Sequence, residues 1–268
     1  MKNFDILTLI NENDKNTITE MIEKEGKFKT LSSFSQILDK RAYVTIDTLG
    51  NIKRKNGSMA LPMFAFFDES SVLADVILKY SDLKERQIID KIERFSNTDT
   101  KKVRENLVKT IFNGNLDFAK KYGKELFMRD RNDFYNLIAT FVVMGNSSSL
   151  KSLFLLAFKK IMENMEYDGN IFFLFISFIT KYRDNTSYYE ACNNDNYTVE
   201  TIKNLLKENE NVLNSTLGLG ILCNLNIIEN FDIPNKDKVL SKIAFEMKSY
   251  ESLTELSQEE QQLLKLFL

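Results

Sequence analysis

Two prolines and nine glycines in 268 residues leave this chain few breakers. An all-β sandwich or barrel turns roughly every 8–12 residues and draws on those two residue types to do so. A chain this poor in them folds mainly as helices, whose interiors disfavour both. With 43% hydrophobic and 28% charged residues it reads as a soluble globular chain that buries a core, long enough for one large or two small domains.

Apolar periodicity fills in the outline. Ile6, Leu7, Leu9, Ile10, Ile18, Met21 and Ile22 flank the polar stretch 11–16, which predicts two short helices, with Asn16 or Thr17 capping the second and Glu20 completing a capping box. A third short helix is expected over 32–39. The period then changes. Residues 42–46 are β-branched and aromatic, 48–58 carry Gly50-Asn51 and Asn56-Gly57, and 60–67 are apolar and extended. This predicts a β-hairpin whose second run, holding Pro62, lies at an edge. Helices are expected over 69–80, 83–95, 100–112, 116–128, 132–144, 147–164, 171–182, 199–208, 212–224, 236–247 and 258–267, the last with a capping box from Ser257 to Glu260. Helix pairs starting near Leu116 and Leu150 have about the 34-residue spacing of helical solenoids. The expected fold class is mainly α: a small N-terminal α+β region with a β-hairpin (residues 1–80), followed by an α-helical repeat-like array (81–268).

The segment running from Phe34-Ser35-Gln36-Ile37-Leu38 through Arg41-Ala42-Tyr43-Val44, a glycine-containing turn, and Leu61-Pro62-Met63-Phe64 to Asp68-Glu69-Ser70-Ser71-Val72-Leu73 resembles the N-terminal domain of the SseB (enhanced serine sensitivity) family. The resemblance covers about residues 28–76, a fifth of the chain. It implies a small α+β domain of a bacterial cytoplasmic protein, with Leu61–Phe64 in a strand and no established catalytic residues.

The chain contains no histidine, which removes the commonest general base, the commonest transition-metal ligand and every Ser-His or Cys-His nucleophile. Cys192 and Cys223 fit no metal spacing and read as free thiols of a reducing cytoplasm. The first residues show no export signal, since Asp5, Asn11 and Glu12 interrupt the apolar positions. The apolar run 171–179 falls short of the ~18–20 residues that cross a bilayer and is expected to be a buried helix. The use of Asn, Lys and Ile suits an AT-rich bacterial or phage coding sequence. No cofactor, metal or membrane is expected.

Acidic pairs at Glu208/Glu210 and Glu259-Glu260 lie beside helix ends, where the helix dipole and solvation account for them. The loop Asn193-Asn194-Asp195-Asn196 lacks the glycine and distal glutamate of a calcium loop. Gly218 and Gly220 sit in an apolar helical pattern with no following Lys-Ser/Thr, so close helix packing explains them better than phosphate binding.

Two sets of residues stand out as candidate contact sites. One comprises the tyrosines Tyr182, Tyr188, Tyr189 and Tyr197 around the longest break in the helical pattern, since aromatics in a polar loop suit partner recognition, and, as a separate candidate, Lys53, Arg54 and Lys55 at the tip of the expected hairpin, a basic turn that could meet phosphates. The other comprises Lys101, Lys102, Lys120, Lys121, Arg129 and Arg131, in a stretch (81–131) with 13 basic and 9 acidic residues, whereas 185–268 has 7 and 13. That asymmetry suits an acidic partner. The overall charge of −2 and pI of about 5.6 give no general drive toward nucleic acid. The function expected is non-catalytic protein binding, by an adaptor, inhibitor or immunity-type protein that occludes or scaffolds a larger one. The alternatives are a nucleic-acid binder using the basic clusters, or a histidine-free enzyme or nucleotide binder with Asp, Glu and Lys at the domain junction.

Overall fold

The structure, a computed structural model, describes residues 5–40, 43–46, 52–55, 57–83, 95–181, 186–250 and 252–268, with the backbone alone for 43–46 and 52–55. The helix expected over 83–95 lies outside them but for its two end residues, and Tyr182 lies outside them too. In chain order the elements are α1 (Ile6–Asn11), α2 (Lys15–Glu25), α3 (Lys27–Phe34), β1 (Tyr43–Ile46), β2 (Ile52–Lys55), α4 (Ala60–Phe66), α5 (Ser70–Tyr80), α6 (Thr100–Phe112), α7 (Leu116–Arg129), α8 (Arg131–Met144), a 3₁₀ turn (Ser147–Ser149), α9 (Lys151–Glu163), α10 (Gly169–Lys181), α11 (Ser187–Ala191), α12 (Val199–Glu208), α13 (Glu210–Leu213), α14 (Thr216–Asn230), α15 (Lys236–Ser249) and α16 (Gln258–Phe267). The chain is mainly helical. Among the described residues no helix is long and apolar enough to cross a membrane.

Two compact units interleave along the sequence: Met1–Asn97, Thr110–Lys121 and Ala157–Tyr182 form the first, and Thr98–Lys109, Tyr122–Leu156 and Arg183–Leu268 the second. The sequence pattern, by contrast, suggests one division near residue 80.

In the first unit α2 begins on Asp14, not on Asn16 or Thr17: the Asp14 carboxylate accepts the Thr17 N–H at 3.0 Å and its hydroxyl at 2.6 Å. These bonds hold the Asp14 carboxyl below its usual range, the hydroxyl contributing most. A carboxylate here also answers the helix dipole. Gly26, at φ +92°, turns the chain directly into α3, so the third helix spans 27–34 instead of 32–39.

β1 and β2 pair antiparallel, Tyr43 with Lys55 through Ile46 with Ile52. The hairpin expected between 42–46 and 60–67 is not formed, because residues 60–66 are helical. Leu61–Phe64, a strand by the family resemblance, lies in α4. Pro62 is in the first turn of α4, where a missing N–H costs nothing. All residues from Ala60 to Ala65 are buried, and a run apolar on every side has no period from which to choose helix or strand. Lys53, Arg54 and Lys55 consequently lie in β2 and not at a hairpin tip.

The centre of the first unit is α10, buried at every residue from Ile171 to Thr180. Asp168 caps it by accepting the N–H groups of Asn170 (2.8 Å) and Ile171 (3.0 Å), and it also accepts the Ser32 hydroxyl from α3. Phe175 stacks on Phe158 at 4.2 Å between ring centres, while Phe172 meets Phe158 edge to face at 5.8 Å.

In the second unit α14 is the buried helix, and the 3₁₀ turn lies against it. The single helix expected over 147–164 is broken after that turn by Leu150, at φ +58°. The one expected over 212–224 becomes α13 and α14, parted where Ser215 caps α14 through the Gly218 N–H. The Ser257–Glu260 capping box of α16 forms as expected. Burial raises both thiols, Cys223 from within α14 and Cys192 beside α15.

A polar network crosses this second core. Glu246 on α15 accepts the Ser147 N–H at 3.0 Å and the Ser147 hydroxyl; Lys242 lies 3.0 Å from Glu246 and donates to Ser147 Oγ at 3.2 Å. Asn224 donates to the same oxygen at 2.8 Å and accepts the Ser152 hydroxyl. The Ser147 hydroxyl is saturated, and all five residues are at most 3% exposed. This is a structural clamp, and Ser147 is no nucleophile.

Candidate functional site

Helix α6 carries two adjacent faces. Val103, Leu107 and Ile111, four residues apart, are buried at 0–4% exposure and anchor it. Lys101, Arg104, Glu105, Val108 and Lys109 recur at helical spacing on the neighbouring face and, with Leu137 of α8, line an open groove of about 420 Å³. Asp99 starts α6 by accepting the Lys102 N–H at 3.0 Å, and Asp130 starts α8 by accepting the Asp133 N–H at 2.9 Å. These caps fix the two helices that form the groove.

Val108 and Leu137, both half-buried, give the groove an apolar floor, and three cations and one carboxylate border it. Arg104 Nε lies 3.3 Å from Asp133 Oδ1. The side chains of Lys101 and Lys109 have no ion-pair or hydrogen-bond partner among the described residues, although Glu105 stands four residues from each. Elsewhere on the surface lysines are commonly paired, as in Lys15–Asp75, Lys24–Glu20, Lys29–Glu25 and Lys203–Glu229. The groove therefore concentrates uncommitted positive charge over an apolar strip.

The basic residues singled out in the sequence are divided between the two units. Lys120 and Lys121 belong to the first unit; Lys101, Lys102, Arg129 and Arg131 belong to the second. Lys120 is 9% exposed, its ammonium 5.2 Å from the centre of the Phe173 ring, and Lys121 lies over Phe118. Arg129 is tied to the Thr98 carbonyl (2.8 Å), Thr100 and Glu125. Arg131, exposed, lies over Phe127 at 5.0 Å, and Lys102 is exposed beside the groove. Arg104 and Lys109 were missed because each looks like an ordinary solvated residue. The only signal was their recurrence with Lys101 and Val108 at helical spacing, and that face becomes a groove only opposite Leu137.

Three of the four tyrosines do come together, but not as exposed anchors. The expected loop holds α11, and residues 187–197 run as a strap along one stripe of α15: Lys238, Ser241, Phe245 and Lys248. Tyr188 meets Phe245 edge to face at 5.9 Å, and Lys238 lies 4.7 Å from the centre of the Tyr189 ring. Ser241 Oγ exchanges 2.9 Å hydrogen bonds with the backbone N–H and carbonyl of Asp195. Lys248 donates to Tyr197 Oη at 3.0 Å, a bond that holds its ammonium above the usual range. Tyr188, Tyr189 and Tyr197 are each half-buried by these contacts. Because α11 buries none of its residues, side-chain contacts hold the strap in place. Removing both rings in Tyr188→Ala/Tyr189→Ala is expected to speed cleavage within 187–197 by subtilisin about tenfold with the far-UV spectrum unchanged, given ~1 kcal/mol for each aromatic or cation–π contact. Unchanged cleavage would mean that the rings do not hold the strap.

Among the described residues no group of three or more Cys, Asp or Glu is placed to hold a metal ion. Comparison with protein-family models, curated proteins and solved structures returns no match to this chain.

Proposed function

We propose that this chain is a non-catalytic protein-binding module, of the adaptor or inhibitor kind, whose second unit receives an acidic, partly apolar segment of a larger protein in the α6–α8 groove. The observation that carries this reading is the set of cations around Val108 and Leu137: Lys101 and Lys109, whose side chains have no partner among the described residues, and Arg104, which has only a long contact to Asp133. Apolar residues of the partner segment cover the floor, and its carboxylates meet the cations at the edge, which favours encounter and register more than raw affinity. The lining holds no hydroxyl or thiol nucleophile, and its one carboxylate, Glu105, stands among positive charges. Glu105 and Asp133 beside the cations, together with the apolar floor, suit a peptide better than a phosphate backbone.

Selection of random 16-residue peptides displayed on phage tests this reading. The enriched sequences are expected to combine Leu, Ile or Val with Asp or Glu, and Lys101→Glu/Lys109→Glu is expected to weaken them about tenfold or more while leaving thermal unfolding unchanged. Equal enrichment on the variant would overturn the reading. If a 20-nucleotide DNA or RNA bound more tightly than any selected peptide, with a steep salt dependence, the function would pass to nucleic-acid binding.

A further inference from the structure

The α6–α8 groove contains a group already poised for one particular ligand atom set. The Arg104 side chain makes no hydrogen bond to any described residue, and its one charged partner is Asp133, with Nε to Oδ1 at 3.3 Å. Charge-assisted hydrogen bonds of this type run about 2.7–2.9 Å, so Asp133 attracts the guanidinium without satisfying its donors. The two side chains are 46% and 21% exposed, and Arg104 lines the groove beside Val108. Asp133 is itself held in place, because its backbone N–H is fixed by the Asp130 cap at the start of α8.

The geometry points to Arg104 as the carboxylate-reading residue of the groove, with Asp133 as its built-in competitor. The ligand class is a peptide carboxylate, from an Asp or Glu side chain, next to an apolar side chain that covers Val108 and Leu137. This assignment rests on the protein-binding reading and adds to it which residue reads the acid and what sets the threshold. Guanidinium offers a planar fork of donors that matches a carboxylate at two points, which an ammonium cannot do. An incoming carboxylate that closes on this fork replaces a single long contact by two short ones. A ligand without an acid at this position leaves Arg104 on Asp133 and gains only the floor contact. Asp133 thus sets a threshold: only a carboxylate that satisfies the guanidinium fork better than the long Asp133 contact draws Arg104 away.

Two conservative variants separate this role from general positive charge. Arg104→Lys keeps the charge and loses the fork, while Asp133→Asn keeps the shape and loses the competitor. The random 16-residue phage library is selected in parallel on the wild type and on both variants, and the peptide most enriched on the wild type is then titrated against all three by fluorescence anisotropy. Arg104→Lys is expected to weaken that peptide about tenfold and to lower the frequency of Asp and Glu among selected sequences, the preference for apolar residues persisting. Asp133→Asn is expected to tighten it about threefold or more, with the thermal midpoint of each variant showing that the fold is kept. If the wild type selects no acidic apolar peptides, the protein-binding reading fails. If it selects them but neither variant changes affinity or composition, or Asp133→Asn weakens binding, the roles of Arg104 and Asp133 fail while the protein-binding reading stands.

Discussion

Truncating Glu246 to alanine is expected to lower the stability of the protein by about 3–5 kcal/mol, the cost of leaving a buried charge without its partner. Lys242 is 0% exposed, and Glu246 is the carboxylate 3.0 Å from its ammonium. The same truncation removes the acceptor of the Ser147 N–H and of the Ser147 hydroxyl, so a buried backbone donor is orphaned together with the cation. Exchanging both charges for apolar residues of similar size, in Lys242→Met/Glu246→Leu, is expected to recover part of that loss, because the double variant leaves no ion in the core while the Ser147 N–H still lacks its acceptor. Urea unfolding of the two variants beside the wild type tests the argument. A single variant that loses less than about 1 kcal/mol, or a double variant that loses as much as the single, would show that an uncompensated Lys242 charge is not the source of the loss.

The second large effect concerns the same turn from its other side. Gly220 brings α14 so close to the 3₁₀ turn that a β-carbon there would lie 2.0 Å from the Ser147 carbonyl oxygen and 2.7 Å from its carbon. Both are backbone atoms and cannot swing aside as a side chain would. Gly220→Ala is therefore expected to push the turn off α14 and lose about 3 kcal/mol, the upper end of ordinary overpacking. Gly169→Ala is the control: in the first turn of α10 its nearest neighbours would be Tyr167 atoms at 3.9 Å, and the change is expected to be neutral or to stabilise by about 0.5 kcal/mol. Urea midpoints again decide, and a Gly220→Ala protein as stable as Gly169→Ala would contradict the close approach. Because Glu246 and Gly220 both act on Ser147, their effects are expected to be less than additive in the double variant.

Much of the helical framework was legible from local pattern. Helices 100–112, 199–208 and 258–267 emerge at the bounds that the apolar spacing implies, and Ser257 with Glu260 announces its own cap. These features depend on interactions within a few residues, such as hydrogen bonds four apart, a side chain reaching the first turn, and a stripe recurring every three or four positions. Gly218 and Gly220 were likewise legible as packing residues, and both stand against backbone carbonyls.

Other features depend on what comes to lie opposite. Residues 60–66 are apolar on every side, so their sequence has no period to report, and full enclosure within the first unit makes them helical. Lys242 and Glu246, four apart, have the sequence signature of a solvated surface pair; the depth of α15 in the second unit turns them into a buried ion pair. The tyrosines of the strap look like free anchors until the stripe from Lys238 to Lys248 is placed beneath them. The groove shows the same division within one site. The sequence alone determined the face of α6 on which Lys101, Arg104, Val108 and Lys109 recur. Only the tertiary structure could bring Leu137 and Asp133 of α8 against it, because a helix pattern states which residues share a side and says nothing about the neighbour that side will meet.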